Sequence, residues 1–86
     1  MSLENFNNAV AKSKTMTRKP SNEELLSLYG LFKQATEGDN ADPRPGGFDF
    51  KAIAKHDAWA ERKGLSKDDA MQKYVTLVDQ LFEVYQ

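Results

Sequence analysis

Eighty-six residues, 40% hydrophobic and 29% charged, suffice for one domain with a modest core and sit in the ordinary globular range, not the disordered one. The chain has no cysteine, which excludes disulfides, thiolate metal sites and thiol chemistry and fits a reducing compartment. Its 12 basic and 13 acidic side chains give a formal charge of −1, so the basic excess of a nucleic-acid binder is missing.

Phe6 and Val10, four apart with Ala9 beside them, predict a first helix from about Leu3 to Lys14. Lys12, Lys14, Arg18 and Lys19 follow with no acid among residues 12–19, a stretch that reads as a solvated helix end and turn, with room for a local anion site. Pro20 marks a break, and Ser21-Asn22-Glu23-Glu24 is a capping box for the second helix. Leu25, Leu28, Tyr29, Phe32 and Ala35 recur at helical steps along it until Gly38 offers a left-handed stop. Residues 38–49 hold two prolines and three glycines and predict a loop, which Phe48 and Phe50 would pin to the core. Asp49 caps a third helix, about Phe50 to Lys63, with Ile53, Ala54 and Trp59 inward, and Gly64 ends it. Ser66 caps the fourth, which carries Asp68 and Asp69 where negative charge suits the macrodipole and Ala70, Tyr74, Leu77, Val78, Leu81 and Tyr85 as its buried stripe. With no strand-like alternation, the chain reads as one all-α, four-helix domain over residues 1–86. The longest nearly apolar run, Leu25–Phe32, has eight residues, against about 20 for a membrane span. The N-terminus has no basic start followed by an apolar stretch, so stable membrane insertion and secretion are not expected, and the cytoplasm is.

Catalytic chemistry finds little support. His56 is the sole histidine, and Asp57, next to it on a helix, should not face it. With no cysteine or second histidine, and no acidic loop of calcium-binding spacing, no metal site is expected. Binding residues are easier to find. Tyr29 and Lys33 share a face of the second helix with Phe32 beside them, and Lys51 and Lys55 repeat that spacing on the third. Phenol and ammonium groups beside an aromatic face suit a phosphate-bearing nucleotide, although solvated surface lysines are the commoner meaning of such spacing.

A run of motifs carries this further. Leu28-Tyr29-Gly30-Leu31-Phe32-Lys33-Gln34-Ala35-Thr36 with Gly38-Asp39, then Arg44-Pro45-Gly46, Asp49-Phe50-Lys51, Ala54-Lys55, Ala58-Trp59, Lys63-Gly64, Ser66-Lys67, Asp69-Ala70-Met71 and Tyr74, resembles the acyl-CoA-binding protein family over essentially the whole chain. The resemblance implies a four-helix bundle of up-down-down-up topology with the long loop between helices two and three. It implies a monomeric, non-enzymatic carrier of medium- to long-chain acyl-CoA esters that needs no cofactor. It gives Tyr29, Lys33 and Lys55 to the ribose 3′-phosphate and neighbouring phosphates, Phe32 and Lys14 to the adenine, and Lys51 to the edge of the head-group site. Tyr74, Leu25 and Leu26 would border the acyl chain, with Ala9 and Ser13 lining the site from the first helix. Phe32 stands where many members carry Tyr, His56 where many carry Trp, and Ser13 at a commonly apolar position; adjusted shape is expected, not loss of binding. Two other classes compete: a helical interaction module whose groove takes an amphipathic partner helix, and the carrier half of an acyl-CoA-using isomerase.

Overall fold

The structure, a computed structural model, describes residues 3–85; Met1 and Ser2, with which the signal-free N-terminal reading begins, and Gln86 lie outside them. Four helices form: α1 Leu3–Ser13, α2 Asn22–Glu37, α3 Phe50–Ala60 and α4 Lys67–Tyr85. The local start signals are realised. Ser21 Oγ accepts from the Glu24 amide at 3.1 Å while Glu24 accepts from the Ser21 amide at 2.9 Å, closing the capping box. Asp49 accepts from the Ala52 amide at 3.1 Å and Ser66 from the Asp69 amide at 3.0 Å. Gly38 and Gly64 end their segments at φ 81° and 90°, backbone that favours glycine.

Two ends differ from expectation. α1 stops at Ser13, where Lys14 and Thr15 turn back to the carbonyls of Ala11 and Lys12. α3 stops at Ala60, three residues early, because the chain tightens: the amides of Arg62 and Lys63 bond to Trp59 and Ala60 three residues back. The tightening carries Gly64 and Leu65 to the end of α2. There Gln34, fully buried, donates through Nε2 at 2.8 Å to both Asp39 Oδ1 and the Leu65 carbonyl, and the Gly64 amide donates to Asp39 at 2.9 Å. Both partners of that nitrogen are acceptors, so the amide orientation is fixed by chemistry. The carboxyl of Asp39 is held below its usual range, first by the Gly64 amide and then by Gln34.

Side-chain contacts give the topology. Glu24 meets Tyr85 and Gln34 meets Leu65, so α2 and α4 are antiparallel. Phe6 packs on Tyr74 while Lys12 pairs with Asp79, so α1 and α4 are parallel. Tyr29 lies under Lys55 and Lys33 over Trp59, so α2 and α3 are parallel. This is the up-down-down-up bundle. Side by side the order is α1–α4–α2–α3, and α3 packs on α2 alone among the helices. The result is a slab with principal extents of 36 × 27 × 15 Å, too thin for a deep interior cavity.

The core joins Phe6, Ala9, Leu28, Leu31, Ala35, Ala70, Tyr74, Val78 and Leu81, each large apolar side chain contributing about 1.5–3 kcal/mol on burial. On α2 the stripe differs from expectation: Leu31 and Gln34 are buried, whereas Leu25, Tyr29 and Phe32 are only half-buried. The helix has neighbours on two flanks, so its buried arc is wider than one stripe, and the half-buried residues face clefts. On α4, Leu77 and Tyr85 are likewise half-buried, at the margin of the stripe. On α3, Ala58 and Trp59 are buried, while Ile53 and Ala54 are half-buried. At Gly30 α2 and α3 approach closely: a Cβ there would lie 2.4 Å from the Ala58 carbonyl oxygen.

The expectation that Phe48 and Phe50 pin the long loop to the core is overturned. They are 91% and 69% exposed and meet each other edge to face at 6.2 Å. Polar groups anchor the loop. Arg44 donates to both carboxylate oxygens of Asp57 at 2.9 and 3.0 Å, His56 Nε2 donates to the Asp42 carbonyl at 3.0 Å, and Asn40 donates to the His56 carbonyl at 3.4 Å. At its start, Trp59 Nε1 donates to the Gly38 carbonyl at 2.8 Å.

Candidate functional site

α2 and α3 lie parallel and close because Gly30 has no side chain, and this sets two i, i+4 pairs against each other. Tyr29 and Lys33 project from α2, Lys51 and Lys55 from α3. Lys55 Nζ stands 5.3 Å from the centre of the Tyr29 ring, and Lys33 Nζ stands 4.8 Å from that of Trp59. Tyr29, Lys55 and Trp59 border one recess of about 280 Å³ beneath the long loop. The four groups are therefore neighbours on one side of the molecule. Lys33 is also bonded to Glu37, one turn on. That bond is the main cause that raises the Lys33 pKa; partial burial opposes it, and the charges of Glu37, Tyr29 and Asp42 add to it.

Two larger clefts meet at Leu25 and Tyr29. The one between α2 and α3, about 600 Å³, has three lysines, Lys19, Lys51 and Lys55, on its walls and no carboxylate among its lining residues. Leu25, Leu26, Phe50 and Ala54 supply its apolar floor. The other, about 340 Å³ between α1, α2 and α4, is lined by Lys14, Phe32 and Tyr74 together with Val10, Met16 and Leu28. Phe6, Phe32 and Tyr74 form one aromatic cluster, with centroids 5.2–6.2 Å apart. Ser13 lines this cleft, its Oγ donating to the Val10 carbonyl at 2.7 Å and lying 3.5 Å from the Tyr74 hydroxyl.

The structure thus separates residues that the resemblance grouped. Tyr74 borders the cleft of Lys14 and Phe32, Leu26 borders the cleft of Lys51 and Lys55, and Leu25 borders both. Ala9 is 4% exposed and belongs to the core, one turn below Ser13. Lys33 stands beyond the walls of these clefts, over Trp59. Sequence reasoning left Lys19 as a solvated turn residue and Phe50 as a core anchor; both line the basic cleft. What places Lys19 is the C-terminal end of α4. The Tyr85 carbonyl accepts from the Arg18 amide at 3.1 Å, the Val84 carbonyl accepts from the Arg18 guanidinium, and the Tyr85 hydroxyl donates to Glu24 at 2.7 Å. These bonds hold the α1–α2 link across the foot of the cleft. A fourth depression, on the outer face of α4, is lined by Asp69, Gln72, Lys73, Thr76, Leu77 and Gln80. Its single apolar residue suits no greasy ligand.

The His56–Asp57 pair needs a correction. Adjacent helical residues should not meet, yet His56 Nδ1 lies 3.4 Å from Asp57 Oδ1, because Asp57 leans towards the loop to reach Arg44. The arrangement builds a strap, not a catalytic pair: both Asp57 oxygens serve Arg44 and the far nitrogen of His56 serves a backbone carbonyl. The Arg44 bond is the main cause that pushes the Asp57 pKa from the usual 3.8 down to about 2. The sign follows: folding favours the charged carboxylate, so the contribution is complete above pH 3.8 and is lost as pH falls through about 2. In thermal unfolding from pH 5 to pH 2, the gap in midpoint between parent and Asp57→Asn should narrow steadily. A constant gap would contradict this.

Comparison with known proteins accords with the fold. The sequence profile of the family described as "Acyl CoA binding protein" matches residues 3–78. The chain belongs to the acyl-CoA-binding protein family. It is 55% identical over 80 residues to acyl-CoA-binding protein homolog 1 of Caenorhabditis elegans, covering 93% of each chain. It is 47% identical over 85 residues to the acyl-CoA-binding protein homolog of Drosophila melanogaster, covering 99% of each. The crystal structure of Oryza sativa acyl-CoA-binding protein 2 superposes with a TM-score of 0.90 at 47% identity, covering 94% of this chain and 90% of that one. The yeast protein's solution structure gives 0.74 at 45% identity, covering 93% of each chain. Among the described residues no helix is long and apolar enough to cross a membrane, and no group of three metal-ligating side chains occurs.

Proposed function

We propose that this protein is a non-enzymatic, monomeric carrier and buffer of medium- to long-chain acyl-CoA esters in the cytoplasm, using no cofactor. The observation that carries the proposal is the cleft between α2 and α3. An apolar floor under three lysines with no carboxylate on its walls fits an amphiphile with an anionic head. The family membership and the relatives' names support the same ligand.

In this proposal Lys55, Lys33 and the Tyr29 hydroxyl bind the 3′-phosphate, a charge-assisted set stronger than neutral hydrogen bonds. Lys51 and Lys19 meet the remaining phosphates. The adenine ring enters the aromatic cleft between Phe32 and Lys14, where a cation and a flat apolar face suit a heteroaromatic ring. The acyl chain lies along Leu25, Leu26 and Ala54, where each buried methylene contributes about 0.8 kcal/mol. A slab 15 Å thick in its shortest extent offers a surface and not an interior, so the chain is covered from outside by the ligand's own nucleotide. Three lysines on the cleft walls also favour an anionic ligand over an apolar partner helix.

The hydrophobic contribution is common to acyl-CoA and free fatty acid, so discrimination falls to the phosphates. Calorimetric titration with palmitoyl-CoA, coenzyme A and palmitate should therefore rank palmitoyl-CoA first by a wide margin. Palmitate binding as tightly as palmitoyl-CoA would overturn the proposal. A series from eight to twenty carbons would set the chain-length preference.

A further inference from the structure

Of the five lysines proposed to meet the ligand, Lys14, Lys19, Lys51 and Lys55 have no ion-pair partner among the described residues, whereas Lys33 is bonded to Glu37. Glu37 has little structural reason to be where it is. It is the last residue of α2, where its charge opposes the helix macrodipole, and the order Lys then Glu is the weaker arrangement for an i, i+4 pair. Its side chain is 53% exposed, while that of Lys33 is 23% exposed and confined over the Trp59 ring at 4.8 Å. The amine is thus kept near the recess with its charge already answered by a solvated carboxylate.

We propose that Glu37 sets the affinity of the head-group site by competing with the ligand's phosphate for Lys33. An arriving phosphate must displace the carboxylate or share the amine with it. Binding of the phosphorylated head is therefore weaker, and release more ready, than the lysines alone would give. Glu37 makes no contact of its own with the ligand; it acts through Lys33. The inference rests on the assignment of Lys33 to the phosphate.

The test titrates palmitoyl-CoA and its 3′-dephospho analogue into the parent, Glu37→Gln, Lys33→Ala and the double variant. Glu37→Gln should bind palmitoyl-CoA about two- to five-fold tighter, the range of an exposed ion pair. It should leave the dephospho analogue unchanged. In the Lys33→Ala background the gain should vanish, which separates competition for this amine from a general change in net charge. Unchanged or weaker affinity in Glu37→Gln, with Lys33→Ala still costly, would overturn the competition and leave the site intact. A Lys33→Ala protein that binds as tightly as the parent would instead remove Lys33 from the site, and the inference with it.

Discussion

Lys55→Ala should weaken palmitoyl-CoA binding by roughly 10- to 100-fold while leaving the unfolding midpoint almost unchanged. Lys55 borders both the basic cleft and the recess beneath the loop, with its amine 5.3 Å from the centre of the Tyr29 ring. A hydrogen bond to a charged group is worth about 1.5–3 kcal/mol, and about 1.4 kcal/mol makes a factor of ten. The fold has little stake in the side chain: it forms no ion pair among the described residues, and alanine is the better helix former. Calorimetry on the variant, with a thermal melt beside it, reads both halves. Parental affinity in a folded Lys55→Ala protein would remove the amine from the head-group site.

Gly30→Ala should lower both stability and affinity. The new Cβ would lie 2.4 Å from the Ala58 carbonyl oxygen, 2.8 Å from its carbon and 3.3 Å from the Trp59 nitrogen. These are backbone atoms, so no rotamer change relieves the clash and α3 must move away. Overpacking costs about 1–3 kcal/mol, and backbone contacts at 2.4 and 2.8 Å put this site in the upper part of that range, while the gain in helix propensity returns up to about 1 kcal/mol. A net loss of about 1–2 kcal/mol corresponds to a midpoint lower by roughly 4–16 °C in a domain of this size. Moving α3 also draws Lys51 and Lys55 away from Tyr29, so palmitoyl-CoA affinity should fall although no residue proposed to touch the ligand is substituted. A midpoint equal to or above the parent's would show that the two helices do not meet at this glycine as described.

The features legible in the sequence were those determined by neighbours in the chain. Ser21 with Glu24, Asp49, Ser66, Gly38 and Gly64 mark their boundaries through bonds or backbone angles spanning a few residues. The Tyr29–Lys33 and Lys51–Lys55 spacings likewise predicted shared faces. What was not legible depends on distant partners. Phe48 and Phe50 are apolar, but hydrophobicity does not say which way a side chain turns in a glycine-rich loop. The loop is held instead by Arg44, Asp42 and Asn40 reaching residues 13 to 16 positions away. Leu31 and Gln34 are buried because α2 has a helix on each flank, which one amphipathic stripe cannot express. Lys19 belongs to the basic cleft because Arg18 is tied to residues 84 and 85 at the other end of the chain. The acid at Glu37, one turn beyond Lys33, was visible in the spacing, yet its meaning required seeing the amine confined over Trp59.

The attachment of α3 to α2 alone has a thermodynamic consequence. The other three helices share a common core, whereas α3 depends on one helix seam, helped by the polar loop before it and by the bonds of Gly64 and Leu65 after it to Asp39 and Gln34. In the proposed complex, an anion gripped by Tyr29 on one side of that seam and Lys55 on the other is a removable crosslink. By mass action its binding free energy adds to the cohesion of the seam, so cargo and scaffold stabilise each other, and an emptied protein is the looser of the two forms.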